Sequence, residues 1–214
     1  MPAATLLRAT RTSSGLTQRD LATAAQARQP GVAAVESGAE DATASRLERL
    51  LAELGSQLSV LPTRLRPAWG AGEAVRRAWA DGDERGAWRE VIQLNDDLRT
   101  ADRATRVALA IAPPGRTGDS RFDALLAAVT DCALSDGRLP RPAWLDGTPW
   151  TLDAPWDVED VPALRKAARV ATPAAIRRHG IHLDRDVLRS TTCLPGGSMT
   201  PHWPPSSRRP GGLD

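Results

Sequence analysis

The sequence predicts a mainly α-helical protein built from two domains whose cores differ in composition. Apolar residues recur at helical spacing through much of the 214 residues. No aromatic residue precedes Trp69, whereas all seven tryptophans and the single phenylalanine lie at or after it. Prolines and glycines cluster in residues 62–72, which is typical of a linker. We therefore expect one domain in residues 1–61, a linker in 62–72 and a mostly helical second domain in 73–192.

The first domain is predicted to be a bundle of short helices filled by Leu, Val and Ala. Its first helix covers residues 5–13, its second begins at Thr17, and its third follows the turn "AAQAR". A short turn between the second and third helices is the spacing of a helix-turn-helix motif. The segment "RLERLLAELG" predicts a further helix, for which Thr43 is the expected N-cap.

The second domain is predicted to begin with two helices within residues 73–111, broken at "DGDERG". The next helix is "RFDALLAAVTDCAL", capped by Asp119 or Ser120, with one apolar face formed by Phe122, Leu125, Leu126 and Val129. The proline-dense "LPRPAWLDGTPWTLDAPW" predicts a long ordered loop packed by its tryptophans. A helix over 160–171, another capped by Thr172 and ending at Gly180, and a disordered tail over 193–214 complete the expectation.

Charge is unevenly distributed along the chain although the net charge is only +2. Residues 121–162 hold three basic and eight acidic residues, and residues 163–190 hold seven basic and two acidic ones. The two segments either neutralise each other within the chain or meet external partners.

The composition indicates a cytoplasmic protein without a membrane span. No run of 18 apolar residues occurs, and the N-terminus lacks the pattern of a signal peptide. The two cysteines, Cys132 and Cys193, are far apart and have no CxxC partner, which favours a reducing compartment.

The first 60 or so residues resemble the Xre family of lambda-repressor-like helix-turn-helix proteins. The resemblance rests on "LLRATRTSSGLTQRDLATAA", on "VESG" and on "RLERLLAELG". It implies a five-helix bundle, double-stranded DNA as ligand and a role in transcription regulation. It also implies which residues form the core (Leu16, Leu21, Ala22, Val32, Val35, Leu47, Leu50 and Leu54) and where helices end (Gly38 and Gly55).

The same resemblance assigns DNA-contacting positions. Gln18 matches a residue that holds the DNA backbone, and Gln29 matches a base-contacting residue that can pair bidentately with adenine. The full expected set is Thr17, Gln18, Arg28, Gln29, Ala33, Ala34, Ser45 and Arg46. Arg11 and Glu36 match positions that often hold a buried ion pair between the first and third helices.

Several residues depart from that pattern. Pro30, Ala33 and Ala34 offer no hydrogen bonds to base edges, and Glu40 and Asp41 bring negative charge to a loop that should face phosphates. Six arginines and six acidic residues leave residues 1–62 without net charge. One domain should therefore bind DNA weakly, and we expect a homodimer on a two-fold site.

No enzyme signature, cofactor motif or metal motif is present, since GxSxG, HExxH and phosphate-binding glycine loops are all missing. His179, His182, Cys193 and His202 lack the spacing of a zinc site, so we interpret the histidines as ordinary surface residues. We accordingly expect a non-enzymatic protein.

Residues 73–190 resemble, less specifically, a domain found behind Xre-type heads in actinobacterial proteins, some encoded beside nucleotidyltransferase-type toxins. This resemblance implies an autoregulating antitoxin of a toxin-antitoxin pair. The acidic residues 121–162 combine aromatic anchors with a charged rim, so we expect them to cover the toxin through Trp144, Trp150 and Trp156. Two alternatives stay open: a stand-alone regulator with a small-molecule effector, and an interaction module whose head no longer binds DNA. Tryptophans that merely fill the core explain the same composition.

Overall fold

The computed structural model describes residues 2–188, and the described chain is mainly α-helical. These residues form ten α-helices and one pair of two-residue strands. The tail predicted over 193–214 lies outside the described residues.

Four helices, rather than the expected five, lie between Pro2 and Leu61: α1 (Pro2–Ser13), α2 (Gln18–Ala24), α3 (Gln29–Ser37) and α4 (Ala44–Ala52). Thr43 caps α4 by accepting a hydrogen bond from the Arg46 amide, and Gly38 ends α3 in the left-handed conformation at φ 76°, as the sequence predicted. Leu and Val side chains fill the core, while Leu16 and Leu54 are only half-buried.

The predicted linker 62–72 is wrong in its second half, because α5 (Ala68–Ala80) begins at Ala68. Glycine is unfavourable inside a helix, yet α5 contains Gly70 and Gly72. Gly72 lies against the loop that follows α7, where a Cβ atom would stand 2.6 Å from Cβ of Pro114. Close approach of two backbone segments therefore explains this glycine, and α5 packs on both α1 and α6.

The second core surrounds α8 (Ser120–Asp136), which packs against α5, α6 (Glu84–Thr100), α7 (Arg103–Ala110) and the later short elements. Asp119 caps α8, since its side chain accepts from the amides of Arg121 and Phe122. The four residues of the predicted apolar face are buried, but the prediction was incomplete, because every residue from Phe122 to Leu134 is buried. The helix lies inside the domain and not on its surface.

Single 3-10 turns at Ala143–Asp146 and Thr148–Trp150 organise the Trp/Pro-rich loop. The strand β1 (Trp156–Asp157) then pairs in parallel with β2 (Ile181–His182). Between them lie α9 (Pro162–Ala171) and α10 (Ala174–Arg177). A last turn, Arg185–Leu188, is fastened to α6 because Asn95 Nδ2 donates to the Leu188 carbonyl at 2.9 Å.

Thr172 does not cap α10 as expected. Its hydroxyl donates to the carbonyl of Ala168 at 2.7 Å and accepts from the amide of Leu183 at 3.0 Å. It thus ties the end of α9 to the chain beyond β2. Among residues 2–188, the structure contains no helix that is both long and apolar enough to cross a membrane.

Candidate nucleic-acid interface

The helix α3 presents one end to solvent and buries the other. Val32 and Val35 anchor it in the N-terminal core, whereas Arg28, Gln29 and Pro30 at its start are exposed. Ala33 and Ala34, two residues of the expected DNA-contacting set, lie on α3 and are half-buried. The exposed first turn is therefore the part of α3 that can approach a ligand.

A buried ion pair fixes the other end of α3. Arg11 on α1 donates from Nε and Nη2 to the two carboxylate oxygens of Glu36, at 2.6 and 2.9 Å. This is the contact that the sequence predicted. Arg11 Nη1 also donates to the Leu16 carbonyl at 2.6 Å, and Glu36 is 2% exposed. The carboxylate consequently has a fixed position beneath the surface.

Two glutamines extend this pair to the surface. Gln18 donates from Nε2 to Oε2 of Glu36 at 2.9 Å, and Gln29 donates from Nε2 to Oε1 of Gln18 at 3.0 Å. Within the described chain, Oε1 and the second N–H of Gln29 have no partner. One donor and one acceptor of Gln29 are thus held side by side at the start of α3. Such an amide can donate to N7 of adenine and accept from its N6 amino group.

The structure gives Thr17 a capping role. Its hydroxyl accepts from the Asp20 amide at 3.2 Å and donates to the Asp20 carboxylate at 2.6 Å. The same carboxylate accepts from the Thr17 amide, so the two residues form a capping box at the start of α2. Hydrogen bonds from the Thr17 hydroxyl and amide lower the pKa of Asp20 below 3.8.

Arg28 and Arg46 occupy different environments at the interface. Arg28 precedes α3 as its N-cap residue, forms no side-chain capping bond and is exposed. Arg46 pairs with Glu40 through Nη1 and donates from Nη2 to the Gly31 carbonyl at 3.2 Å. Ser45 is exposed in the first turn of α4. Glu40 therefore already neutralises Arg46 within the chain.

The tryptophans expected to anchor a partner pack within the chain. Trp150 is 7% exposed, and its ring meets that of Trp144 edge-on with centroids 5.2 Å apart. Trp144 also donates from Nε1 to the Ala110 carbonyl at 3.0 Å. Trp156 is half-buried against Trp88, with ring centroids 6.1 Å apart. The anchor prediction is wrong for Trp150, because a buried ring cannot insert into another protein.

The acidic and basic segments contact each other inside the second domain. Asp157 accepts from Arg169 on α9 and from His182 Nδ1, the latter at 3.0 Å. The hydrogen bond from Arg169 is the main reason that the pKa of Asp157 falls to about 2. Burial raises this pKa, but the hydrogen bond from His182 adds to the lowering. Of the two readings of the charge pattern, these contacts favour neutralisation within the chain.

His179 is a buried residue, which corrects its expected surface position. It is 1% exposed, with Nδ1 2.7 Å from the Trp150 carbonyl and Nε2 3.3 Å from Oδ2 of Asp131. The described residues contain no cluster that could hold a metal ion, and Cys193 and His202 lie outside them. His179 therefore serves the packing of the Trp-bearing loop.

Asp131 is one of three buried aspartates in the second domain, with Asp97 and Asp123, that the sequence analysis did not predict. Arg141 donates to both of its oxygens, at 2.7 and 3.2 Å, and Arg178 Nη2 lies 3.4 Å from Oδ2. Burial disfavours the charged form, but the hydrogen bonds from His179 and Arg141 outweigh it and lower the pKa of Asp131 to about 2. The available signal was a lone aspartate within the apolar run "LLAAVTDCAL".

Comparison with known proteins adds no relative to this description. No family model, no curated protein and no solved structure matches the chain.

Proposed function

We propose that this protein is a sequence-specific, double-stranded-DNA-binding transcription regulator that places the first turn of α3 in the major groove. The observation that carries the proposal is the hydrogen-bonded series from Arg11 through Glu36 and Gln18 to Gln29. It leaves Gln29 with an oriented donor and acceptor at an exposed helix end. A side chain fixed in this way loses little rotational entropy on pairing with a base.

The charges around α3 support weak binding by a single head. Arg28 is exposed and can reach a phosphate, whereas Arg46 is already paired with Glu40. Phosphate contacts supply most of the affinity of a DNA-binding protein, and residues 1–62 carry no net charge. Two heads on a two-fold site would add their contacts, so we propose that the protein binds as a homodimer.

The role of an antitoxin stays a prediction from sequence resemblance. Its structural argument used Trp144, Trp150 and Trp156 as exposed anchors, and the packing of these rings weakens that argument. The small-molecule-effector alternative gains no specific support either, because the rings take part in the protein core.

The proposal is tested by selecting duplexes from a random-sequence pool with the full-length protein. We expect enrichment of a two-fold symmetric motif whose half-sites are one helical turn apart, about 10 base pairs. A pool that stays random after repeated rounds, at a salt concentration where the protein still retains duplex, would contradict sequence-specific binding.

A further inference from the structure

His179 lies inside the second domain with both of its ring nitrogens against oxygen atoms. Nδ1 is 2.7 Å from the carbonyl oxygen of Trp150, and Nε2 is 3.3 Å from Oδ2 of Asp131. The side chain is 2% exposed, so neither nitrogen faces bulk water. The ring therefore bridges helix α8, which carries Asp131, and the Trp-bearing loop, residues 139–156, which carries Trp150.

Both of these oxygen atoms can only accept a hydrogen bond. The carbonyl oxygen of Trp150 has no proton to donate. Burial raises the pKa of Asp131, but the hydrogen bonds from His179 and Arg141 outweigh it and hold that pKa at about 2. The carboxyl group is therefore ionised at neutral pH, and it already accepts from Arg141 on both of its oxygens, at 2.7 and 3.2 Å. His179 consequently lies between two acceptors.

The number of protons on the ring decides how many of these contacts are hydrogen bonds. A neutral imidazole has one N–H group and one lone pair, so either tautomer would satisfy one oxygen and turn its lone pair toward the other. At the Trp150 carbonyl, two lone pairs would then meet at 2.7 Å, and at Asp131 a lone pair would face a negative charge. Only an imidazolium ring donates to both oxygens.

Two arginines near the ring oppose a further positive charge, but both reach solvent. Arg141 and Arg178 contact Asp131 with side chains that are 27% and 48% exposed. Asp146 also binds Arg141 and offsets part of its charge. Water screens exposed charges, whereas the ring and the Asp131 carboxylate are both shielded from it. The attraction between His179 and Asp131 is therefore the less screened interaction.

The other charged side chains on the elements around the ring are bound elsewhere. The 3-10 turn Thr148–Trp150 brings no ionisable side chain. The remaining groups bind within the chain: Arg116 with Asp123, Arg177 with the Thr172 carbonyl, and Asp136 with Arg185. Asp131 is thus the carboxylate that the ring meets within the described residues.

We propose that His179 carries a proton on both ring nitrogens in the folded protein, and that this buried imidazolium is a pH-sensitive clamp on the Trp-bearing loop. With two protons, the ring ties the loop to α8. Loss of one proton removes one of the two hydrogen bonds and breaks that connection. Among the described residues, the bond from the Leu152 amide to the His179 carbonyl, at 3.2 Å, then remains between this residue and the loop.

The clamp gives the stability of the second domain a definite dependence on pH. An unfolded histidine releases its proton near pH 6.5, whereas the folded protein holds it. The stabilising effect is therefore complete below that pH and is lost as the pH rises and the folded protein releases the proton. Its sign is opposite to that of Asp131, whose contribution is lost as the pH falls.

Nuclear magnetic resonance of the imidazole nitrogens tests the protonation state. The chain has three histidines, so the double variant His182→Gln/His202→Gln leaves His179 as the only source of these signals. At pH 7.5 an unfolded histidine is only about one-tenth protonated, but we expect two protonated nitrogens on His179 in the folded full-length protein. A wild-type spectrum at this pH must contain the same pair, which keeps the test valid if the variant does not fold. An unprotonated ring nitrogen on His179 would overturn the proposal.

Urea unfolding between pH 6 and pH 9 tests the effect on stability. It compares the double variant with the same protein that also carries His179→Gln, since glutamine stays neutral over this range. We expect the double variant to lose stability relative to the triple variant as the pH rises. Parallel profiles would show that no proton on His179 contributes to folding.

Hydrogen exchange of the wild-type protein tests the release of the loop without any substitution. After correction for the intrinsic exchange rate at each pH, protection of the Leu152 amide should fall at least about tenfold as His179 loses its proton, because a hydrogen bond from a charged donor contributes enough for that factor. The Val158 amide, which donates to the His182 carbonyl at 3.0 Å, lies outside the loop and should keep its protection. Unchanged protection of Leu152 after His179 has lost its proton would show that the ring is not a clamp.

Discussion

At the scale of single residues, buried carboxylates organise both cores, and Glu36 in the first and Asp131 in the second are two of them. Glu36 fixes the N-terminal helices by accepting from Arg11 and Gln18, and Asp131 fixes the Trp-bearing loop by accepting from Arg141 and His179. Several hydrogen bonds to each carboxylate offset the free-energy cost of removing its charge from water. Removing either one should therefore cost more stability than removing a surface acid.

The Glu36→Ala variant should lose about 3 to 5 kcal/mol of unfolding free energy, because Arg11, whose side chain is 11% exposed, keeps a charge without its partner. Urea unfolding followed by far-UV circular dichroism measures the loss. Glu48→Ala, at an exposed glutamate on α4, is the matched control and should change stability by less than about 0.5 kcal/mol. A loss below about 1 kcal/mol for Glu36→Ala would show that the pair contributes little.

Asp131 should make the second domain sensitive to acid. Its pKa is lowered from 3.8 to about 2 in the folded protein, so its stabilising effect is complete above the unfolded value and disappears as pH falls from 4 to 2. The effect amounts to about 2 kcal/mol. Asp131→Asn should remove this part of the pH dependence, as measured by tryptophan fluorescence during urea unfolding at each pH.

Asp146 provides the control for that experiment, since it also binds Arg141 but its side chain is 67% exposed. Asp146→Asn should keep the wild-type pH profile. If Asp131→Asn and the wild-type protein lose stability in parallel between pH 4 and pH 2, the acid sensitivity comes from other groups.

At the scale of helices and loops, sequence patterns predicted where helices begin better than they predicted how deeply each helix is buried. Caps and breaks predicted the starts of α4 and α8 because Thr43 and Asp119 act through local hydrogen bonds. The burial of α8 on all sides escaped prediction, since periodicity reports only helices that have a polar face. The positions of Asp131 and Trp150 depend on contacts between segments far apart in the chain, which no local pattern encodes.

The start of α5 within the expected linker can be tested with its two glycines. Gly72→Ala should destabilise the protein by about 1 to 3 kcal/mol, because the new Cβ would lie 2.6 Å from Pro114 Cβ and 3.2 Å from the Gly115 amide nitrogen. Gly70→Ala would meet only side-chain atoms of Arg66 and Pro67, the nearest at 3.2 Å, and should leave stability unchanged or improved by its helix propensity. Equal effects in thermal unfolding would contradict the close contact at Gly72.

The loop between α3 and α4 should limit the electrostatic affinity for DNA. Glu40→Gln removes a negative charge and releases Arg46, so binding to random-sequence duplex should tighten. The slope of log affinity against log salt should steepen by up to about one. Glu53→Gln, at an exposed residue where α4 ends, is the control. Unchanged slopes in fluorescence anisotropy would place Arg46 away from the phosphates.

At the scale of the whole molecule, an aromatic-free head is joined to a tryptophan-rich domain through the contact of α1 with α5. Composition alone predicted two cores of different content, because large aromatic side chains are mostly buried in a core and none is present before Trp69. Composition could not show that the head and the second domain touch, nor that Val60 between them is 95% exposed while Leu61 packs on the second core. The function proposed for this arrangement depends on what the first turn of α3 does with DNA.

The most direct test of that claim compares affinities for the selected duplex and for random duplex in the wild-type protein, Gln29→Ala and Gln93→Ala. Both variants lose an exposed glutamine, but Gln29 lies at the start of α3 and Gln93 lies on α6 in the second domain. We predict that Gln29→Ala loses about 1 to 3 kcal/mol on the selected duplex and little on random duplex, while Gln93→Ala matches the wild-type protein. Equal losses of Gln29→Ala on both duplexes, or no loss on either, would contradict base recognition by α3.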